Sequence, residues 1–295
     1  MKITVIILQA VLLIAASPFI SGFIKKLKNH IRMRKGAPLL QPYHNIVKLF
    51  GKDETISKDS SYIFRIAPYV LITTAVAAAL LSPSFFPSFQ ISGTGDIFVI
   101  IFIFALGRFF TALAGLDTGS TFGGMGSSRE MFISALAEPA FLVSVFAASL
   151  AAGNTGISSL LPGGVFKISL VCSGLAFYLV LLAETARVPV DNQETHLELT
   201  MIHEAMILEY SGKSLALIEL AGHIKQLVLL SLLVYIFIPV GSGTGFYIIK
   251  IVAVAAVTAI IEVALAKMRL FRVVDYLIFS FVLSLAAVTA FIMGV

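Results

Sequence analysis

The sequence predicts an all-α membrane protein with about eight transmembrane helices and interfacial helices on one side. Three observations predict it. Of the 295 residues, 58% are hydrophobic and 13% charged, roughly half the charged share of a soluble domain. Mean hydropathy is +0.99. The apolar residues gather into eight runs, most of them close to the roughly 20 residues a helix needs to cross a bilayer. The chain reads as one polytopic membrane domain, 1–295, embedded in a lipid bilayer. A soluble enzyme, a disordered chain and a disulfide scaffold are excluded, and nothing points to nucleic acid. The single cysteine, Cys172, falls short of the roughly four ligands of an iron–sulfur cluster or a Cys-rich zinc site. No dinucleotide glycine fingerprint and no GxxxxGK[ST] loop occurs, and the five histidines lack HExxH spacing. No metal or other cofactor is expected in this chain.

The first run, Ile3–Phe23, is about twice a signal-peptide apolar core and has only Lys2 before it, so it reads as a span. The others are Ile66–Leu81, Ile97–Leu116, Met131–Ala152, Phe166–Ala183, Leu215–Ile238, Phe246–Ala266 and Val273–Gly294. Basic residues orient them. The loops 24–65, 117–130, 186–214 and 267–272, with the adjoining helix ends, hold all but three of the 21 Lys and Arg. Placing those loops in the cytoplasm leaves Lys2, Lys167 and Lys250 for the other side and puts both termini outside an inner cell membrane. The outer connectors are short runs of Ser, Gly, Pro and Thr. The inner loops carry the motifs, so docking or function belongs there. The absence of a convincing internal repeat disfavours an inverted-repeat transporter.

Lys25–Ser60 alternates basic and apolar residues, the pattern of an interfacial helix meeting anionic lipid. The same surface suits docking of a peripheral subunit, through Arg34, Lys35, Pro38 and Gln41, and a helical stretch His44–Phe50 follows. Leu116–Glu130 holds four glycines and five Ser or Thr, a backbone suited to close packing. Within it, Ser127–Glu130 fits a capping box for the fourth span, which competes with proton transfer as the role of Glu130. In Thr185–Lys213, Pro189 breaks the helix leaving the fifth span, and Asp191–Glu194 fits a capping box for a new one. On one continuous helix, Glu198 and Glu209 would lie about 20° apart around the axis and roughly 16 Å along it. Glu194 would precede them on the same side, with His203 and Glu204 facing elsewhere. That stripe is either a polar face towards water or a line of carboxylates leading into the membrane.

Acids inside spans are costly and mark function by default. Glu138 precedes Pro139 about two turns into the fourth span. It reads as a proton-exchanging group buried without a fixed counter-ion, or as the partner of an arginine on a neighbouring helix. Glu184 stands three residues before Arg187, the spacing of an interfacial ion pair. Glu219 and His223 share a face at the start of the sixth span, and Glu262 lies a turn inside the end of the seventh. Asp275 reads as a cap for the eighth. Arg108 either snorkels or holds one of the acids.

These residues resemble a known family. Ala183-Glu184-Thr185-Ala186-Arg187-Val188-Pro189-Val190-Asp191, followed by Glu194, Glu198 and Glu209-Tyr210-Ser211-Gly212, is similar to the AETNRxPFD…E…E…EYSG block of the ND-one membrane subunit of complex I. Arg129 and Glu138 form a second matching pair, and Arg34, Gly36, Pro38 and Leu40-Gln41-Pro42 a third. The shortened Gly36–Gln41 stretch, His196 in place of an acid, and extra residues around His203-Glu204 look like the energy-converting [NiFe] hydrogenase branch. That branch includes formate hydrogenlyase and Ech-type hydrogenases. The resemblance implies a subunit without a redox centre, anchoring a cytoplasmic arm and coupling it to ion movement. Partners would be the hydrogenase large and small subunits, an iron–sulfur subunit and antiporter-like membrane subunits, with the NiFe centre and iron–sulfur clusters on those partners. Glu138, Glu184, Arg187, Glu194, Glu198 and Glu209 carry over as the ion path. Polarity adds Glu130, Glu204, Glu219 and Glu262 to it, and Asp117, Arg129 and Asp191 to the docking surface. A quinone-using complex I subunit and a stand-alone ion transporter are the alternative readings.

Overall fold

The structure is a computed structural model that describes residues 2–57, 60–82, 96–157, 168–192, 202–238 and 243–294. The described residues are almost entirely helical. In chain order they form α1 (Lys2–Ile31), α2 (Gln41–Phe50), α3 (Tyr62–Leu81), α4 (Ile97–Asp117), α5 (Thr121–Ala152), α6 (Ile168–Glu184), α7 (His203–Ile207), α8 (Gly212–Phe237), α9 (Thr244–Ala264) and α10 (Leu270–Ile292). Seven of these are long and apolar enough to cross a membrane, and α6 is a shorter apolar helix of 17 residues. Each of the eight expected runs coincides with one of these eight helices. The chain is a multi-pass membrane protein.

From Gln226 to Phe237 the helix α8 is buried on every side, and after Gln226 it carries no charged residue. A helix without a polar face belongs at the centre of a bundle. Around it pack α1, α3, α6 and α9, while α10 lies against α5 and α6, and α4 joins α3 to α5. Alternation along the chain brings one set of helix ends together: the ends of α1, α4, α6 and α9 and the starts of α3, α5, α8 and α10. This end carries α2, α7 and the basic loops. Side chains tie it shut. The Asp117 carboxylate at the end of α4 accepts the Ser61 and Phe64 amides at the start of α3, at 2.8 and 3.2 Å. Tyr210 stacks on Phe64 with ring centroids 3.9 Å apart and donates its hydroxyl to the Phe64 carbonyl.

Several local expectations are corrected. The helix α1 runs on to Ile31, so Lys25, Lys26 and Lys28 occupy its last two turns and do not start a separate interfacial helix. Lys28 is buried, not solvated. The helix α5 starts ten residues early, capped by Ser120, whose hydroxyl accepts the Gly123 amide at 3.1 Å. Ser127 and Glu130 therefore lie inside the helix and form no capping box. One of the glycines in this stretch admits α7 at close range: a Cβ on Gly126 would lie 2.9 Å from that of Ala205. Asp275 is exposed within α10, whose first turn begins five residues earlier, so it caps nothing.

The expected helix from Asp191 to Gly212 is not continuous. Only five residues form α7, and Glu209 follows its end, so Glu209 shares no helical stripe. The capping box expected at Asp191–Glu194 lies partly outside the described residues. The Asp191 carboxylate reaches across to the Ile202 and His203 amides, at 3.3 and 3.1 Å, and so holds the start of α7. Glu194 and Glu198 lie outside the described residues.

Candidate ion path

At the end of α6 the Ala186 amide donates to the Ala183 carbonyl at 3.1 Å and the Arg187 amide to that of Leu182 at 2.9 Å. These are the two bonds of a Schellman turn, with Ala186 in the left-handed position at φ 49°. The turn sends Glu184 and Arg187 in different directions. The i,i+3 pair between them therefore does not form, and each is paired with other helices.

Glu184 is 1% exposed and meets two cations: Arg108 of α4 at 2.5 Å and Lys225 of α8 at 2.8 Å. The other arm of Arg108 reaches Glu138 of α5 at 3.1 Å. Glu138 thus has a counter-ion and, at 39% exposed, is only half-buried, which corrects the expectation of burial without one. Lys225 also lies 5.7 Å from the centre of the Phe104 ring. The result is a ladder across four helices, Glu138–Arg108–Glu184–Lys225. A second cluster forms around Glu262 of α9, which pairs with Arg187 at 2.9 Å and Lys28 at 3.2 Å. Gln226 joins it, accepting from Arg187 and from Ser21, both at 2.8 Å. Asp191 pairs with Lys267 at 2.8 Å. Buried charges survive only when partnered, because losing one partner strands the other in low dielectric. The clusters meet that requirement almost completely. Among the described residues the Nε atoms of Arg108 and Arg187 are buried without a hydrogen-bond partner.

Two cavities adjoin these clusters. The first, about 740 Å³, is lined by Arg108, Glu130, Glu184 and Lys225 together with apolar residues of α3 and α8. The second, about 1170 Å³, is lined by Lys25, Arg187, Glu204, Glu219 and His223 and by Pro42 and Asn45 of α2. A smaller one, about 240 Å³, lies between Lys28, Arg187, Asp191 and Glu262. Outside the spans, burial pushes the His203 pKa below its usual range, against the pull of Glu204 and Asp191 and with a further push from Lys225. Burial likewise raises the Tyr210 phenol, helped by Asp117 and Glu54.

The structure thus gathers Glu130, Glu138 and Glu184 on one side and Arg187, Glu204, Glu219 and Glu262 on the other. It does not bring Glu209 to either group; that side chain is exposed in the turn before α8. Among the docking candidates, Arg34, Lys35 and Pro38 are exposed, Gln41 donates to Asn45, Asp117 caps α3 and Arg129 is half-buried. Sequence reasoning left out Lys28, Lys225, Gln226 and His203. Their signal was position: cations and an amide at the basic ends of spans, level with acids on other helices. Among the described residues no group of three or more His, Cys, Asp or Glu is placed to hold a metal ion.

Known proteins resemble this chain in sequence and in fold. Hydrogenase-4 component C of Escherichia coli strain K12 is 36% identical over 239 residues, covering 80% of this chain and 75% of that protein. Formate hydrogenlyase subunit 4 of the same organism is 31% identical over 280 residues, 90% of each. Among solved structures, a chain of an archaeal respiratory membrane complex, the membrane-bound sulfane sulfur reductase, superposes with a TM-score of 0.85. It is 17% identical and the match covers 96% of this chain and 98% of that one, a likeness of fold. The NADH dehydrogenase family matches residues 3–294, nearly the full length, and the chain belongs to that family.

Proposed function

We propose that this chain is the membrane-anchor and ion-coupling subunit, without a redox centre, of a membrane-bound energy-converting [NiFe] hydrogenase. The relatives named for hydrogenase-4 and formate hydrogenlyase support the class of complex. The observation that carries the coupling role is the ladder Glu138–Arg108–Glu184–Lys225, with Arg108 and Glu184 buried at its centre. Charges in apolar helices are costly, and where spans keep them they serve charge movement or pairing. Here Glu184 sits between two cations, so protonating it weakens both contacts at once and frees Arg108 or Lys225 for another acid. Glu130, which lines the same cavity, is such an acid. A redox event on a docked arm that shifts α7 or the Arg187 turn would change these contacts.

In this reading the basic end faces the cytoplasm, and both termini lie outside the inner membrane. The large and small hydrogenase subunits and an iron–sulfur subunit dock on Arg34, Lys35, Pro38, Gln41 and Arg129 and carry the NiFe centre and clusters. Antiporter-like subunits continue the ion path within the bilayer. Isolation of the chain from its native membrane in mild detergent tests the reading. Nickel, iron and hydrogen evolution insensitive to quinone-site inhibitors should co-purify with it. Flavin with quinone-dependent NADH oxidation, or elution of the chain alone, would contradict it.

A further inference from the structure

The two larger cavities share four lining residues: Thr185, His203, Ile218 and Gly222. The Thr185 hydroxyl is already committed to the Leu181 carbonyl at 2.7 Å, and Ile218 is apolar. Gly222 leaves a gap: a Cβ there would meet nothing within 4 Å, although the residue sits in the middle of α8. His203 is the one titratable side chain of the four. Its backbone amide is fixed by Asp191 at 3.1 Å, and Asp191 by Lys267 at 2.8 Å, so the residue is held at the boundary.

We infer that the ion passing between the two cavities is a proton, handed on by the His203 imidazole beside the gap that Gly222 leaves; this rests on the coupling role proposed above. A sodium ion needs a shell of oxygen ligands, as hard cations do. The shared wall supplies no carboxylate, and its one hydroxyl is engaged. A proton needs none of that shell. One ring nitrogen of His203 takes it up from the cavity of Glu204 and Glu219. The other releases a proton to the cavity of Glu130 and Glu184, directly or through water, and the ring returns to neutral with one proton moved. Burial keeps the neutral ring as the resting form, so the charged form is transient.

The test uses the intact complex in liposomes, in sodium-free medium, reading protons moved per hydrogen evolved with a pH-sensitive dye. The unaltered complex should stay coupled without sodium. His203→Gln keeps the volume but cannot titrate at neutral pH, and should lower the ratio about tenfold or more, as loss of a proton-transfer group does. His203→Ala should be restored in part by added imidazole. Gly222→Leu fills the gap and should lower the ratio while the complex still assembles. Glu184→Gln serves as the comparison. If Glu184→Gln abolishes coupling while His203→Gln and Gly222→Leu retain it, the passage through His203 is overturned and the coupling role stands. If none of the three changes the ratio, the coupling role itself fails. A complex that couples only when sodium is present would overturn the proton assignment.

Discussion

Arg108 holds two carboxylates from one position in α4, and that makes it the most sensitive residue of the ladder. Arg108→Leu leaves Glu184 with Lys225 alone and Glu138 without its ion pair. The expected cost is about 3–5 kcal/mol, the usual penalty for breaking a buried pair from one side, read as a lower unfolding temperature of the solubilised protein. Pairing the change with Glu184→Gln should recover much of that loss, because the stranded charge is gone. His203 gives a pH signature of its own. Its folded pKa lies below the ordinary value of 6.5, so the folded state resists protonation, and stability falls as pH drops through that ordinary value. Thermal melts of the wild type and His203→Gln across pH 5–8 should show the variant lacking part of the acid-side decline. The acids were visible in the sequence as residues too polar for their spans. Their partners were not, because an ion pair 76 residues apart, as Arg108 and Glu184 are, depends on which helices are neighbours. Glu184 and Arg187 show the limit best: their spacing suggested a pair, and one Schellman turn separates them.

At the scale of elements, the spans were legible because length and apolarity suffice to define them. All eight appear, with most ends within a few residues of expectation. The exceptions are the end of α1, which runs on to Ile31, and the start of α5, where a glycine-rich stretch was placed in a loop. Packing against α7 explains one of those glycines, Gly126. Gly126→Leu should therefore displace α7, since even a Cβ there comes within 2.9 Å of the Ala205 methyl. At Gly124, two residues away, a Cβ would meet nothing within 4 Å, so Gly124→Leu should be tolerated. Limited proteolysis of the 202–211 segment should separate the two variants. Asp191→Asn weakens both the contact to Lys267 and the grip on the start of α7, and should raise proteolysis in the same segment. The expected continuous helix from Asp191 to Gly212 fails because α7 ends at Ile207 and the chain turns before α8 starts at Gly212.

At the scale of the molecule, two charged clusters lie on either side of one boundary, at the end of the bundle where the basic loops collect. The family block around Ala183–Asp191 pointed to this end before any geometry was known, because it combines a span end, a helix breaker and three ionisable residues in nine positions. What it could not give was the division into two cavities, which depends on where α7 folds back onto α5 and α4. The central claim is that the ladder around Glu184 couples chemistry on a docked arm to ion movement. The measurement that tests it most directly is the number of ions moved per hydrogen evolved by the intact complex in sealed vesicles, wild type against Glu184→Gln. The expected result is an assembled complex that still evolves hydrogen when an ionophore is present, with the ion ratio lowered about tenfold or more. An unchanged ratio would contradict the claim and leave the ladder a structural brace.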